Sequence, residues 1–169
     1  MARSGADEKK YTSVHLVTPI RDPCREARRL MARKANPVVG NKAATVLVVD
    51  DDPSVLNALA RLIRALGFKV ATFDRPTALL ASVIPAGNAC LVVDINLPEM
   101  NGIELCRALA ESGHKLPAIL ITGRSDGATR RLVEHAQFVA ILYKPIDESP
   151  LLDAITRAVD LSKPDRGDG

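Results

Sequence analysis

Three consecutive carboxylates, Asp50, Asp51 and Asp52, follow directly on an apolar run in the stretch TVLVVDDDPSV, residues 45–55. Two unit charges about 4 Å apart repel by ~1 kcal/mol in water and by ~4 kcal/mol at an effective dielectric near ~20. A folded chain tolerates such a cluster when a cation sits within it, when a proton is shared, or when the carboxylates point apart. Three more residues with useful chemistry stand at the ends of apolar runs. Asp94 closes CLVVD, Thr122 closes AILIT, and Lys144 follows VAILY. Taken singly, each has an ordinary explanation. An Asp after a strand is often a helix cap, and Asp52 beside Pro53 is the plainest case. A Thr or Lys at a strand end is commonly just solvated.

The elements that must position these residues follow from the hydrophobic pattern. Short apolar runs start at Thr45, Lys69, Cys90, Ala118 and Val139, at intervals of 24, 21, 28 and 21 residues. Between the first two, Val55, Leu56, Leu59, Leu62, Ile63 and Leu66 recur at helical spacing, with Asp52-Pro53 as the start and Gly67 as the stop. Residues 76–84, 103–112 and 128–136 fill the next gaps as helices. Ser149-Pro150 opens a last helix with Leu151, Leu152, Ile155 and Val159 on its apolar face. Strands alternating with helices predict an α/β fold: a doubly wound parallel sheet of five strands with right-handed crossovers, its strands buried on both faces. In such sheets ligands bind beyond the carboxyl ends of the strands, where Asp50–Asp52, Asp94, Thr122 and Lys144 all lie.

Composition sets further bounds. Of 169 residues 47% are apolar but only 3% aromatic, so the core must be aliphatic. Residues 1–42 carry ten Lys+Arg and four Asp+Glu, a net charge of +6, whereas residues 43–169 are at −3. The chain is therefore expected to divide into a basic, flexible extension (1–42), a mildly acidic domain (43–161) and a short tail (162–169). Within the extension, residues 22–35 could form a short basic helix, and a membrane-surface or nucleic-acid contact there is a weak alternative to a solvated lead. Met31 is an alternative start. Cys24, Cys90 and Cys106 are odd in number and widely spaced, and neither they nor His15, His114 and His135 have metal-ligand spacing. The simplest expectation is a reduced, cytoplasmic protein without a membrane span or signal peptide.

In their order and spacing, VLVVDDD, CLVVDINLPEMNGIEL, AILITG and LYKPID resemble the receiver domain of bacterial two-component response regulators, over about residues 45–161. The resemblance implies a flavodoxin-like (βα)5 fold with strand order 2-1-3-4-5. It implies that Asp94 accepts a phosphoryl group from a phosphohistidine. Asp50 and Asp51 match the acidic pair that holds Mg²⁺. Asp51, Asp94 and the backbone carbonyl of Asn96 would ligate it directly, and Asp50 largely through water. Thr122 matches the hydroxyl that binds a phosphoryl oxygen, and Lys144 the lysine that pairs with Asp94 and then with the phosphoryl group. Lys144-Pro145 is expected to be cis. The chemistry is consistent: phosphoryl transfer needs a positioned nucleophile and neutralisation of charge on the equatorial oxygens, and Gly123 leaves the approach open. The added charge would draw Thr122 inward and move the loop behind it, a local event biasing a two-state surface.

Three positions depart from the family pattern. Ile141 stands where an aromatic is usual, three residues before the lysine, with Tyr143 two residues on along the same strand face. The glycine often found before the fifth strand is missing, and Asn101 replaces the more frequent aspartate of its turn. Asn96 and Arg124 flank the pocket and would tune the lifetime of the phosphoryl group.

Only eight residues follow Leu161, so the expectation is a stand-alone receiver with no DNA-binding domain and no separate enzymatic output. Its partners would be a histidine kinase or histidine phosphotransfer protein, docking near Asn57, Arg61 and Arg64, and an output protein met at the surface near Arg130, Arg131 and Tyr143. Whether it forms a homodimer there is left open. Two rivals remain. One is a degenerate receiver that binds partners without being phosphorylated. The other is a haloacid-dehalogenase-like phosphatase with Asp50 as nucleophile and Asp52 as acid/base, which fits DDDPSV poorly and leaves Asp94 unexplained.

Overall fold

The computed structural model describes residues 44–123 and 138–163. In chain order these form β1 (Thr45–Val49), α1 (Pro53–Ala65), β2 (Lys69–Phe73), α2 (Pro76–Leu80), β3 (Ala89–Asp94), α3 (Gly102–Glu111), β4 (Ala118–Thr122), β5 (Ala140–Tyr143) and α4 (Glu148–Ser162). The basic extension, the helix expected over 128–136 and the end of the tail lie outside the described residues.

All five strands pair in parallel in the order β2-β1-β3-β4-β5. Strand order reverses at β1 and β3, so the ends of those strands open on the crevice where such sheets bind ligands. The uninterrupted apolar runs have a direct cause in this arrangement. Val46, Val48, Cys90, Val92, Ile119, Ile121 and Leu142 pack on one face against Leu56, Leu59 and Ile63 of α1 and Leu151, Ile155 and Val159 of α4. Leu47, Val49, Leu91, Val93, Leu120 and Ile141 pack on the other against Leu79 of α2 and Leu105 and Leu109 of α3. Successive side chains point to opposite faces, and both faces of β1, β3, β4 and β5 are covered, so their inner positions are apolar until the strand ends, whereas the edge strand β2 carries exposed Lys69 and Thr72.

The helix boundaries follow local chemistry. The Asp52 carboxylate accepts the Ser54 N–H at 2.8 Å and caps α1, Pro53 fills the first turn, and Gly67 with φ 90° turns the chain out of the helix. Asn101 caps α3 in a reciprocal box: its side chain accepts from Ile103 and Glu104, while the Glu104 carboxylate accepts the Asn101 N–H at 2.9 Å. Two boundaries correct the sequence reading. The segment 76–84 is helical only to Leu80, because the Ser82 hydroxyl takes the Leu79 carbonyl and the chain then bends through Pro85, Gly87 (φ 77°) and Asn88 (φ 45°). The last helix begins at Glu148, with Asp147 at its N-cap, so Ser149-Pro150 lies in the first turn and does not open it.

Asn88 combines a left-handed backbone with a buried side-chain oxygen that has no partner. Its own carbonyl accepts the Thr45 N–H at 2.8 Å and so helps start β1. Glycine would keep that backbone bond, suit the dihedral and remove the orphaned oxygen. Asn88→Gly is expected to raise the unfolding free energy by up to about 1 kcal/mol in urea titrations, and Asn88→Ala to lower it.

Candidate functional site

The carboxyl ends of β1, β3 and β5 converge on one cluster. Asp50 and Asp94 are nearly buried, at 1% and 6% exposure, whereas Asp51 is exposed. The carboxylate oxygens of these three residues lie within 4.8 Å of one another. Lys144 reaches in from the end of β5. Its ammonium donates to Asp50 Oδ2 at 2.8 Å and to Asp94 Oδ2 at 2.5 Å. The second oxygen of each buried carboxylate is also occupied: Asp52 N–H donates to Asp50 Oδ1 and Asn96 N–H to Asp94 Oδ1, both at 2.9 Å.

Backbone pairing holds this geometry. The Lys144 N–H donates to the Thr122 carbonyl at 2.9 Å, the Ile95 N–H to the Ile121 carbonyl at 2.9 Å, and the Asp50 N–H to the Phe73 carbonyl at 3.3 Å. Each chemical residue is thus tied to a neighbouring strand at the rim. Thr122 is wholly buried and is the register partner of Tyr143, which places its hydroxyl-bearing side chain on the strand between Asp94 and Lys144. The Lys144-Pro145 bond is cis. A Cβ added at Gly123 meets nothing within 4 Å, so open space lies beside Thr122.

The residues singled out in the sequence, Asp50, Asp51, Asp94, Asn96, Thr122 and Lys144, are therefore brought to one end of the sheet. Asp52 is used as the helix cap. Ile141 is buried among the α3-side core, and Tyr143 is half-exposed at the sheet edge. Asn57, Arg61 and Arg64 are exposed on α1, and Arg124, Arg130 and Arg131 lie outside the described residues. Sequence reasoning missed two features. Lys144 pairs with Asp50 as well as Asp94, which depends on strand neighbours far apart in sequence. Gly102 is required sterically: a Cβ there would fall on the backbone carbonyl oxygen of Asp94 and against Val93 at 3.0 Å. The Gly102 N–H donates to the Ile95 carbonyl at 3.0 Å, locking the start of α3 against the end of β3. The signal was the glycine directly after the capping Asn101.

The electrostatics fit a cation site. Burial pushes the Asp50 carboxyl above its ordinary value, with Lys144 and the Asp52 N–H pulling it back and Asp94 adding to the rise. Burial pulls Lys144 down, but its bonds to Asp50 and Asp94 outweigh this and its pKa is raised, so it stays charged. Three carboxylates facing one lysine leave an excess of negative charge. A small, hard, oxygen-seeking divalent ion such as Mg²⁺ matches that donor set, and it takes one or two carboxylates and keeps several waters. Asp51, open to solvent beside the buried pair, would allow such a partly hydrated ion.

The fold and this cluster define a doubly wound α/β domain with an acidic, lysine-bridged site at the carboxyl end of its sheet. The chain belongs to the response regulator receiver domain family, whose model matches residues 46–156. It is 36% identical over 124 residues to the response regulator protein TmoT of Ectopseudomonas mendocina, covering 73% of this chain and 56% of that protein. It is 34% identical over 114 residues to the transcriptional regulatory protein FixJ of Rhizobium meliloti (strain 1021), covering 68% and 56%. The crystal structure of FixJ-N superposes with a TM-score of 0.64 at 33% identity, over 69% of this chain and 94% of that one. The chain thus spans a little over half the length of these curated relatives. Among the described residues no helix is long and apolar enough to cross a membrane.

Two outcomes follow from the site. Gly102→Ala is expected to lower the unfolding free energy by about 1–3 kcal/mol, the usual range for forcing atoms into packed space, as measured in urea. For Asp50 the sign is set by its raised pKa. Below the unfolded value of 3.8 neither state carries the charge, and stability falls as pH rises from there through the higher folded value. In the presence of a chelator, Asp50→Asn should therefore unfold at higher urea than the parent at neutral pH. That margin should shrink as the pH is lowered toward about 4.

Proposed function

We propose that the chain is a phosphorelay response regulator in which Asp94 accepts a phosphoryl group from the phosphohistidine of a histidine kinase or histidine phosphotransfer protein. The observation that carries the reading is the Lys144 ammonium held between buried Asp50 and Asp94, with Asp51 alongside. Asp94 is the better acceptor because it stands alone on its strand. Asp50 is followed by two more carboxylates, which would repel an incoming phosphoryl group.

In the transfer, an Asp94 carboxylate oxygen forms the new bond to phosphorus as the phosphorus–nitrogen bond of the donor breaks, and the imidazole leaves and takes a proton. Asp51, Asp94 and the carbonyl of Asn96, with Asp50 behind them, would hold Mg²⁺. Bound there, it supplies neutralisation of charge on the phosphoryl oxygens. Lys144, whose side chain is 27% exposed, can follow an added phosphoryl oxygen without leaving the pocket. Thr122 would donate its hydroxyl to another oxygen, and the open space beside Gly123 would admit the group. The Asn96 N–H already bonded to Asp94 Oδ1 keeps the carboxylate from rotating.

A phosphatase centred on Asp50 and Asp52 has little support, since Asp52 spends its carboxylate on capping α1. The reading of a partner-binding module that is never phosphorylated draws on Ile141, whose burial in the core puts no aromatic at the usual switch position. The division into a basic extension, receiver and tail stands as part of this proposal. So do cytoplasmic residence and an output partner; FixJ is itself a transcriptional regulatory protein by name.

Incubation with acetyl phosphate and Mg²⁺ should add the mass of one phosphoryl group to the intact protein. The adduct should disappear with chelator and in Asp94→Asn, and should form more slowly in Lys144→Ala. No adduct in the parent, with no Mg²⁺ binding, would favour the unphosphorylated module; loss in Asp50→Asn alone would favour the phosphatase.

A further inference from the structure

The loop between β3 and α3 carries Asn96 and contains the most unusual non-glycine backbone of the described residues. Glu99 has φ 73°, and the Met100 N–H donates across it to the Pro98 carbonyl at 2.9 Å. An i to i+2 bond around a residue of that φ is the rarer, strained form of γ-turn, and a side chain larger than glycine adds to its cost. Such a turn persists only when its surroundings hold it. One end is held by the bond from Ile95 to β4 and by the Gly102 contact with Ile95. The other side is held by Glu99 itself, whose Oε2 accepts the Thr77 hydroxyl of α2 at 3.1 Å. Arg75, forked onto Asp74 at 3.2 and 3.0 Å, is near enough to feel the Glu99 charge.

We infer that the Thr77–Glu99 hydrogen bond is a tether that fixes the strained β3–α3 loop to α2 and thereby sets how tightly the pocket holds Mg²⁺. The inference rests on the metal-binding reading above. Glu99 and Thr77 touch neither ion nor phosphoryl group; they are positioning residues that act through Asn96. The link is local and short. Asn96 is separated from Glu99 by two residues, and its N–H is already committed to Asp94, so a shift of the turn moves the Asn96 carbonyl and the Asp94 carboxylate together. A glycine at 99 would satisfy the dihedral without any partner. A glutamate there makes the loop depend on α2.

The test uses the full chain with Thr77→Val, Thr77→Ser, Glu99→Ala and Glu99→Gln. Mg²⁺ is titrated while amide resonances are followed, and hydrogen exchange at residues 96–100 is measured without metal. Thr77→Val and Glu99→Ala should each weaken Mg²⁺ binding about threefold, the effect of one weak net hydrogen bond, and speed exchange in the loop, with little change in the urea midpoint. Thr77→Ser and Glu99→Gln, which keep a donor and an acceptor, should stay near the parent. If Thr77→Val binds Mg²⁺ as the parent does, or loses affinity only in proportion to a fall in global stability that Thr77→Ser does not restore, the tether is overturned. A parent that does not respond to Mg²⁺ removes the metal-binding reading and the inference with it.

Discussion

One ammonium between two buried carboxylates is the contact on which the rest of the site depends. Taking an ion out of water costs several kcal/mol, and two carboxylates facing each other add their mutual repulsion. Lys144 offsets both by donating to Asp50 and Asp94 at once, while each remaining carboxylate oxygen is met by a backbone N–H two residues on. The compensation is incomplete, because burial still raises the Asp50 carboxyl. The cluster therefore keeps an excess of negative charge, which a divalent cation would offset.

The fold brings these three side chains to one rim. A parallel sheet carries every strand's carboxyl end to the same side, and the reversal of strand order puts β1 and β3 next to each other at the crevice. Because both faces of β1, β3, β4 and β5 are filled largely by Val, Ile and Leu, the polar residues of the site appear only at the ends of these strands. Gly102 then allows α3 to start hard against the Asp94 backbone, so the loop after Asp94 is short and constrained on both sides.

Much of this was legible in the residues, for a physical reason. A strand buried on both faces must be apolar throughout, so the runs beginning at Thr45 and Ala118 coincide with β1 and β4, and the chemical residues stand out at their ends; β2 also starts where expected, at Lys69, though it is a partly exposed edge strand. Strand order, by contrast, came from the family resemblance and not from any pattern in the chain. Helix ends were read less well where apolar spacing outran the helix. Val83 and Ile84 continue the pattern of Leu79 and Leu80, yet Val83 is 95% exposed because the Ser82 hydroxyl and the left-handed residues beyond it end the helix first. Contacts between distant segments were legible only through the family resemblance, as for Lys144 and Asp94. The Lys144–Asp50 pair joins residues 94 apart and the Thr77–Glu99 bond joins residues 22 apart, and no local pattern marks either.

The central claim is that Asp94, and none of the neighbouring carboxylates, becomes the acyl phosphate. Borohydride reduction of the phosphorylated protein converts an acyl phosphate to an alcohol, and peptide mass then locates it. Cleavage after Arg61 and Arg107 separates Asp50, Asp51 and Asp52 from Asp94, so the two regions cannot be confused. The account predicts a single reduced residue, at position 94. Reduction at position 50, 51 or 52, or an adduct that resists borohydride altogether, would contradict it.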